Sequence, residues 1–335
     1  LVPYEYVLPE RAIAQVPVEP RDAARLLVDL GPGAAPEHRW VRDLPSLVGP
    51  GDLLVVNTTR VLPARLHLRK ATGGAVEVLL LARDPDGTWE ALVRPGRRVP
   101  AGTRLALEEG ATLEVGADLG DGRRRVWLDG TGDADAEHAL IARHGVVPLP
   151  PYITTPLPDP ERYQTVFAVN PGSVAAPTAG LHLTDDVLER CRATGATVST
   201  VDLDVGMGTF KPIAVDDLDD HRMHAERYRV PAATIEACRA ATRVIAIGTT
   251  TVRALESAAA TGELEGRTEL FIRPGSELRV VDALLTNFHL PRSSLLALVD
   301  AFVGPRWRDL YDIALDAGYR FLSFGDAMLV ARGEP

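Results

Sequence analysis

The succession of two periodicities constrains this chain most. Residues 52–57, D-L-L-V-V-N, form a short continuous apolar run, with the turn Gly49-Pro50-Gly51 before it and Thr58 and Thr59 after it. Such a run reads as a buried strand. From Arg60 to Gly145 the pattern stays mostly β. Residues 76–81 are strand-like, Asp84-Pro85-Asp86-Gly87 is a turn signal, and residues 89–93 return as the second arm of a hairpin. A basic turn at 94–98 follows, and strands near 104–107, 112–115 and 123–128 keep the spacing of a small barrel or sandwich. The first helical stretch is 134–143, and the cluster Pro148-Leu149-Pro150-Pro151 closes the region.

From Tyr152 onward, helix and strand alternate. Thr184 caps a helix over 185–194, with acids in its first turn and Gly195 after its end. Strands are expected at 197–205, 243–247, 278–285 and 321–324, and helices at 232–241, 249–259, 293–302 and 307–316. Apolar strands alternating with helices predict an α/β fold, a mixed, mostly parallel sheet with flanking helices. The expected domains are a discontinuous α/β domain, 1–58 and 149–335, and a small β-barrel inserted at 59–148.

Length and composition fit this reading. The 335 residues, 46% hydrophobic and 24% charged, suit a globular chain of two domains. No apolar run is long enough for a membrane span, and residues 1–15 carry scattered charges unlike a signal peptide. Cys191 and Cys238 lack CxxC partners and read as free thiols of a reducing cytoplasm. No His/Cys/Asp cluster has zinc spacing, so no metal is expected. The net charge of −10 argues mildly against nucleic acid, but it is unevenly spread. Residues 60–128 carry twelve Lys+Arg against nine Asp+Glu, a net of +3 that leaves −13 for the remainder.

Five segments carry candidate chemistry. Residues 172–182, G-S-V-A-A-P-T-A-G-L-H, combine small side chains, two hydroxyls and His182. Backbone amides in such a stretch can approach a ligand closely, and Ser173, Thr178 and Gly180 are the candidate contacts. Gly248-Thr249-Thr250-Thr251 marks a strand end, a turn and a helix start, which suits an anion, with Arg253 on the first turn as a planar fork. Asn287 and His289 follow a strand and are two apart, so an extended backbone points them to one side. His224 lies beside Glu226, a possible base with its orienting acid. Asp326 is expected at the C-terminal end of a strand. Each segment alone also reads as plain structure: a connector, a capped helix, a satisfied histidine, a solvated face, a turn cap. Their gathering on loops of one domain points to a site.

These segments, with others, resemble one family along nearly the whole chain. The matching stretches are G-D-L-L-V-V-N-T-T-R-V-L-P-A-R-L from Gly51, P-P-Y-I from Pro150, E-R-Y-Q-T-V-F-A from Glu161 and G-S-V-A-A-P-T-A-G-L-H from Gly172. They continue with V-G-M-G-T-F-K-P-I from Val205, H-R-M-H-A-E from His221 and R-V-I-A-I-G-T-T-T-V-R-A-L-E-S from Arg243. The last are V-V-D-A-L-L-T-N-F-H-L-P-R-S-S-L from Val280 and Y-R-F-L-S-F-G-D-A-M from Tyr319. In these the chain resembles the S-adenosylmethionine:tRNA ribosyltransferase-isomerases of queuosine biosynthesis.

The resemblance implies a β-barrel inserted into an α/β domain. It implies S-adenosylmethionine as a ribosyl-donating co-substrate, with no permanent cofactor and no metal. The acceptor would be 7-aminomethyl-7-deazaguanine at the tRNA wobble position, and the products epoxyqueuosine-tRNA, adenine and methionine. Such chemistry needs a base for the proton beside the sulfonium, support for leaving adenine and an anion site for the methionine carboxylate. His182, His224, Glu226, His289 and Asp326 are the catalytic candidates. Ser173, Thr178, Gly180, Gly248, Thr249, Thr250, Arg253 and Asn287 are the donor contacts, with Arg253 on the carboxylate. Arg60, Arg94, Arg97, Arg98 and Lys211 are the candidate RNA contacts, and Arg123, Arg124 and Arg125 add to the basic surface. A cytoplasmic monomer is expected. Two positions depart from the family pattern: Asp204 stands where histidine is usual, and Ala225 where serine is frequent. They keep open an S-adenosylmethionine-cleaving paralogue with a non-tRNA acceptor; a catalytically silent RNA-binding module is the third reading.

Overall fold

The computed structural model describes residues 4–31, 33–84, 86–107, 110–120, 122–130, 133–206, 213, 218, 221 and 223–333. Lys211 and most of the V-G-M-G-T-F-K-P-I stretch lie outside them. The chain divides into two compact units, residues 1–59, 150–170 and 176–335 in the larger, and 60–149 with 171–175 in the smaller.

In chain order the strands begin with β1 (Arg25–Asp29), β2 (Glu37–Trp40), β3 (Asp52–Asn57) and β4 (Thr59–Val61). Next come β5 (Arg65–Lys70), β6 (Ala75–Arg83), β7 (Trp89–Arg94), β8 (Thr103–Ala106), β9 (Thr112–Gly120), β10 (Arg123–Asp129) and β11 (Gly145–Val146). They finish with β12 (Asn170–Ser173), β13 (Thr197–Leu203), β14 (Glu226–Arg229), β15 (Arg243–Ile247), β16 (Glu265–Thr268), β17 (Ala283–Asn287) and β18 (Ala327–Ala331). The helices are α1 (Ala134–His144), α2 (Asp185–Ala193), α3 (Ala232–Ala240), α4 (Thr249–Thr261), α5 (Ser294–Val303) and α6 (Trp307–Asp316).

The larger unit is built on a nine-stranded sheet, order β16-β14-β13-β3-β15-β17-β18-β1-β2. The block β13-β3-β15-β17 is parallel, whereas β17 meets β18 antiparallel and β18 runs parallel to β1. Alternate residues of the central strands, among them Leu54, Val56, Ile245, Ile247, Ala283 and Leu285, share one core with Val187, Leu188 and Cys191 of α2. The intervening residues Leu53, Val55, Val244, Ala246 and Leu284 are buried as well. Both faces are therefore covered, which is why these strands read as unbroken apolar runs. The chain leaves β3 toward β13 on one side and leaves β15 toward β17 on the other. That reversal makes the C-terminal ends of β3 and β15 the topological switch point, the place where open α/β sheets bind ligands.

The strand expected at 278–285 starts later, as β17, and two further sequence expectations need correction. Residues 321–324 form no strand; Phe321 makes an isolated bridge to Ile13, and the strand is β18. Asp326 thus precedes a strand instead of ending one, and antiparallel pairing brings its neighbour Ala327 opposite Asn287 at the end of β17. The edge strands β14 and β16 carry few apolar residues; in β14 only Glu226 and Tyr228 turn inward, a period-two pattern masked by charge. Residues 171–175, expected in the α/β domain, cluster with the smaller unit. Here Leu62 N–H donates to the Ser173 carbonyl at 2.8 Å.

In the smaller unit six antiparallel strands, β5-β6-β7-β10-β9-β8, close into a barrel through β5–β8 pairs at Arg69↔Ala106 and Lys70↔Leu105. No α-helix occurs among the described residues between Val76 and Leu128. Leu66, Val78, Val93, Leu113, Val115 and Val126 fill the interior. Trp89, also buried, donates its indole N–H to Glu137 of α1, which Arg83 pairs at 3.2 Å.

Candidate active site

The end of β17 organises the site. Asn287 is buried, and its side-chain amide joins three segments. Thr178 Oγ1 donates to Asn287 Oδ1 at 2.9 Å. Asn287 Nδ2 donates to His182 Nε2 at 2.9 Å and to the Asp326 carbonyl at 3.3 Å. A carbonyl oxygen only accepts, so the bond to Asp326 fixes which end of the amide is NH2. His182 Nε2 is then an acceptor, and the ring proton sits on Nδ1. Burial, aided by Arg320, Arg162 and Arg21, pushes the His182 imidazolium down to about 3. His182 is therefore neutral near neutrality, with one nitrogen already committed.

His289 is held as firmly. Its Nε2 lies 2.9 Å from Thr286 Oγ1, and its backbone N–H donates to the Tyr311 hydroxyl at 2.9 Å. Tyr6 donates its hydroxyl to the His289 carbonyl. Behind it Phe288 stacks on Phe321 with ring centres 4.7 Å apart. Burial alone lowers the His289 pKa to about 3. Both histidines are thus uncharged hydrogen-bonding groups, and neither is a cationic acid at physiological pH.

A second group of candidates sits at the C-terminal ends of β3 and β15. Gly248 has φ +93°, and the turn from β15 into α4 uses that left-handed backbone. Asn57, missed in the sequence, closes it: its Nδ2 donates to the Leu203 carbonyl at 3.0 Å and to Thr250 Oγ1 at 3.2 Å. Its Oδ1 accepts from the Leu203 and Thr59 amides. An asparagine ending a continuous apolar strand was the available signal. Asp204 follows directly, its amide bonded to the Arg227 carbonyl at 2.9 Å. Burial, with Asp202 and Glu226 adding and Arg227 opposing, raises its carboxyl to about 6.

Several expected contacts are spent on structure. Arg253 is buried, and its fork pairs with Glu226 while also donating to the Leu270 and Thr268 carbonyls. It is not presented to a ligand. Glu226 accepts further from Gly206 N–H at 2.9 Å, so it faces Arg253 and the start of the 206–212 stretch instead of orienting His224. His224 is half-buried; burial, and after it the neighbouring His224, lower the His221 pKa. Asp326 accepts from the Arg25 and Arg320 backbone amides at 2.8 and 2.7 Å, which makes it a staple between chain segments and removes it as a free base. Gly180 is small because a Cβ there would lie 2.7 Å from the Phe167 ring. Ser173 donates to the Ala175 carbonyl within the smaller unit.

A cleft opens beside Asn287 and His289, lined also by Thr178, Tyr152, Ser293 and Ser323. Tyr152 and Ser323, neither singled out in the sequence, are joined hydroxyl to hydroxyl at 2.7 Å. On the barrel, the expected RNA contacts separate into two kinds. Arg94, Arg97 and Arg98 are exposed and unpaired among the described residues. Arg123, Arg124 and Arg125 are neutralised by Glu90, Asp118, and Asp84 with Asp86. Arg60 is half-buried and already engaged. No group of three or more His, Cys, Asp or Glu able to hold a metal occurs among the described residues. No described helix is long and apolar enough to cross a membrane.

Comparison with known proteins bears on this site. Residues 1–330 match the model of a family described as Queuosine biosynthesis protein. The chain is 52% identical over 331 residues to the S-adenosylmethionine:tRNA ribosyltransferase-isomerase of Rubrobacter xylanophilus, covering 98% of this chain and 97% of that one. It is 49% identical over 337 residues to the enzyme of the same name from Moorella thermoacetica, covering 98% of each. The crystal structure of the S-adenosylmethionine tRNA ribosyltransferase of Thermotoga maritima superposes with a TM-score of 0.55 at 38% identity, over 98% of this chain and 99% of that one.

Proposed function

The chain belongs to the queuosine-biosynthesis family, and from that premise we propose that it transfers and isomerises the ribosyl unit of S-adenosylmethionine onto tRNA. The acceptor is 7-aminomethyl-7-deazaguanine at the wobble position, the products are epoxyqueuosine-tRNA, adenine and methionine, and the enzyme acts in the cytoplasm as a monomer without a permanent cofactor. The observation that carries this reading is the full-length similarity to ribosyltransferase-isomerases in a chain whose matching motifs converge on Asn287. The readings with a non-tRNA acceptor, or with no catalysis, are not favoured by that similarity.

The residues divide the work as follows. The N-terminal turn of α4, with Thr249 and Thr250, receives the methionine carboxylate through backbone N–H groups. Arg253 holds that helix in place through Glu226 and does not touch the donor. His182 and His289, kept neutral by burial, hydrogen-bond the ribose and the departing base. The proton beside the sulfonium goes to a group that titrates near neutrality. Asp204, with its carboxyl raised to about 6, restores at this position the proton affinity of a histidine. Arg94, Arg97 and Arg98 attract the tRNA backbone.

The test is adenine release measured with tRNA bearing the 7-aminomethyl base, with tRNA lacking it, and without tRNA. Release only with the modified tRNA is expected. Release without tRNA points to another acceptor, and no release in any arm overturns the catalytic reading.

A further inference from the structure

The cleft beside His289 has a composition that selects among the parts of the two substrates. Phe288, Leu290, Pro291, Leu295 and Leu322 supply apolar surface, and the other lining groups are hydroxyls, an amide and His289. No carboxylate, lysine or arginine lines it among the described residues. The methionine end of the donor carries an ammonium and a carboxylate, and each wants an opposite charge. The acceptor base carries a cationic aminomethyl group, which wants a carboxylate. Adenine is flat and uncharged, with a polar edge for a few hydrogen bonds, as a mostly apolar pocket with convergent polar groups requires.

The polar edge of the cleft is built at a cost. Leu322 has φ +70°, a left-handed backbone that a leucine adopts only under constraint. It is held there by its N–H donating to the Phe288 carbonyl at 3.1 Å and by Gly325 N–H donating to its own carbonyl at 2.9 Å. The turn delivers Ser323 to Tyr152 at 2.7 Å. Burial pushes the Tyr152 phenol up to about 12, so it stays a proton donor at every working pH. A phenol and a serine joined in this way can donate and accept together at the edge of a base.

We propose that this neutral cleft is the adenine subsite of the donor, and that the Tyr152–Ser323 hydroxyl pair recognises the polar edge of the base. The assignment rests on the ribosyl-transfer reading given above. It places the leaving base beside His289 and the Asn287 amide.

The experiment is photolabelling of the full chain with S-(8-azidoadenosyl)methionine, with and without excess S-adenosylmethionine, followed by peptide mapping. Label suppressed by S-adenosylmethionine and carried by Tyr152, by residues 287–295 or by residues 322–323 is the expected result. Suppressible label elsewhere overturns the subsite and leaves the donor reading intact. Label that S-adenosylmethionine nowhere suppresses overturns both. In parallel, Tyr152→Phe and Ser323→Ala should each raise the KM for S-adenosylmethionine about three- to tenfold, the loss of one neutral hydrogen bond, with the KM for tRNA unchanged. An unchanged donor KM in both variants overturns the role given to the hydroxyl pair.

Discussion

The two histidines at the end of β17 and the three arginines on the barrel turn at residues 94–98 use charge in opposite ways. His182 and His289 are enclosed, and enclosure removes their charge, leaving neutral imidazoles, that of His182 with its tautomer fixed by Asn287 and that of His289 hydrogen-bonded to Thr286. Arg94, Arg97 and Arg98 are exposed and unpaired among the described residues, so their charge is undiminished and acts outward. Nearby on the same barrel, Arg123, Arg124 and Arg125 show what pairing does: each faces a carboxylate within 4 Å, and their outward field is largely cancelled. The lesson is that burial and pairing, more than residue type, separate a group for short-range chemistry from a group for long-range attraction.

The sharpest way to break the enclosed side is Asn287→Ala. It strips partners from His182, Thr178 and the Asp326 carbonyl at once, and leaving buried polar groups unpaired should cost about 3–5 kcal/mol in denaturant unfolding. Thr178→Val, which removes one bond, should cost about 1 kcal/mol. Similar losses from both variants would show that Asn287 is no hub.

Acid should discriminate the two regions next. Both histidines have folded pKa values of about 3, below their ordinary 6.5, so the stability they contribute is complete above pH 6.5 and is lost as the pH falls toward 3. At pH 4.5 this amounts to about 3 kcal/mol for each histidine, read as a lower urea midpoint than at pH 7. His289→Gln should flatten that dependence, whereas Arg97→Ala should leave it as it is.

Asp204 gives an effect of the opposite sign, smaller than that of the two histidines together. Its folded pKa of about 6 lies above the ordinary 3.8, so its contribution is complete below pH 3.8 and is lost as the pH rises through 6. Asp204→Asn should therefore stabilise the protein above pH 6, by about 3 kcal/mol, with no gain below pH 3.8. The same variant should abolish adenine release. Full activity in Asp204→Asn would move the proton transfer to another residue, with His224 next in line.

The smallest change in stability is expected on the exposed side. The double variant Arg97→Ala, Arg98→Ala should shift unfolding by less than about 0.5 kcal/mol. Its tRNA affinity should fall, and the slope of log affinity against log salt should flatten by about one to two, with donor affinity unaltered. Arg123→Ala and Arg125→Ala, already neutralised in place, should flatten it less. Equal effects of the two sets would break the comparison.

Much of this protein was legible before its structure. The unbroken apolar strands β3 and β15, the hairpin spacing of the barrel and the Thr184-capped helix α2 follow from local periodicity and turn chemistry, which act over a few residues. The motifs marked the loops at strand ends and helix starts for the same reason, since these carry their own signatures. What each side chain does there was decided by residues far away in the chain. Arg253 reads as an open fork until Glu226 fills it, and Asp326 reads as a free acid until the Arg25 and Arg320 amides occupy it. Tyr152 and Ser323, 171 positions apart, form a pair that no spacing announces. Hydrogen bonding and desolvation depend on which groups the fold brings within 3 Å, and that proximity exists only once the strands are paired.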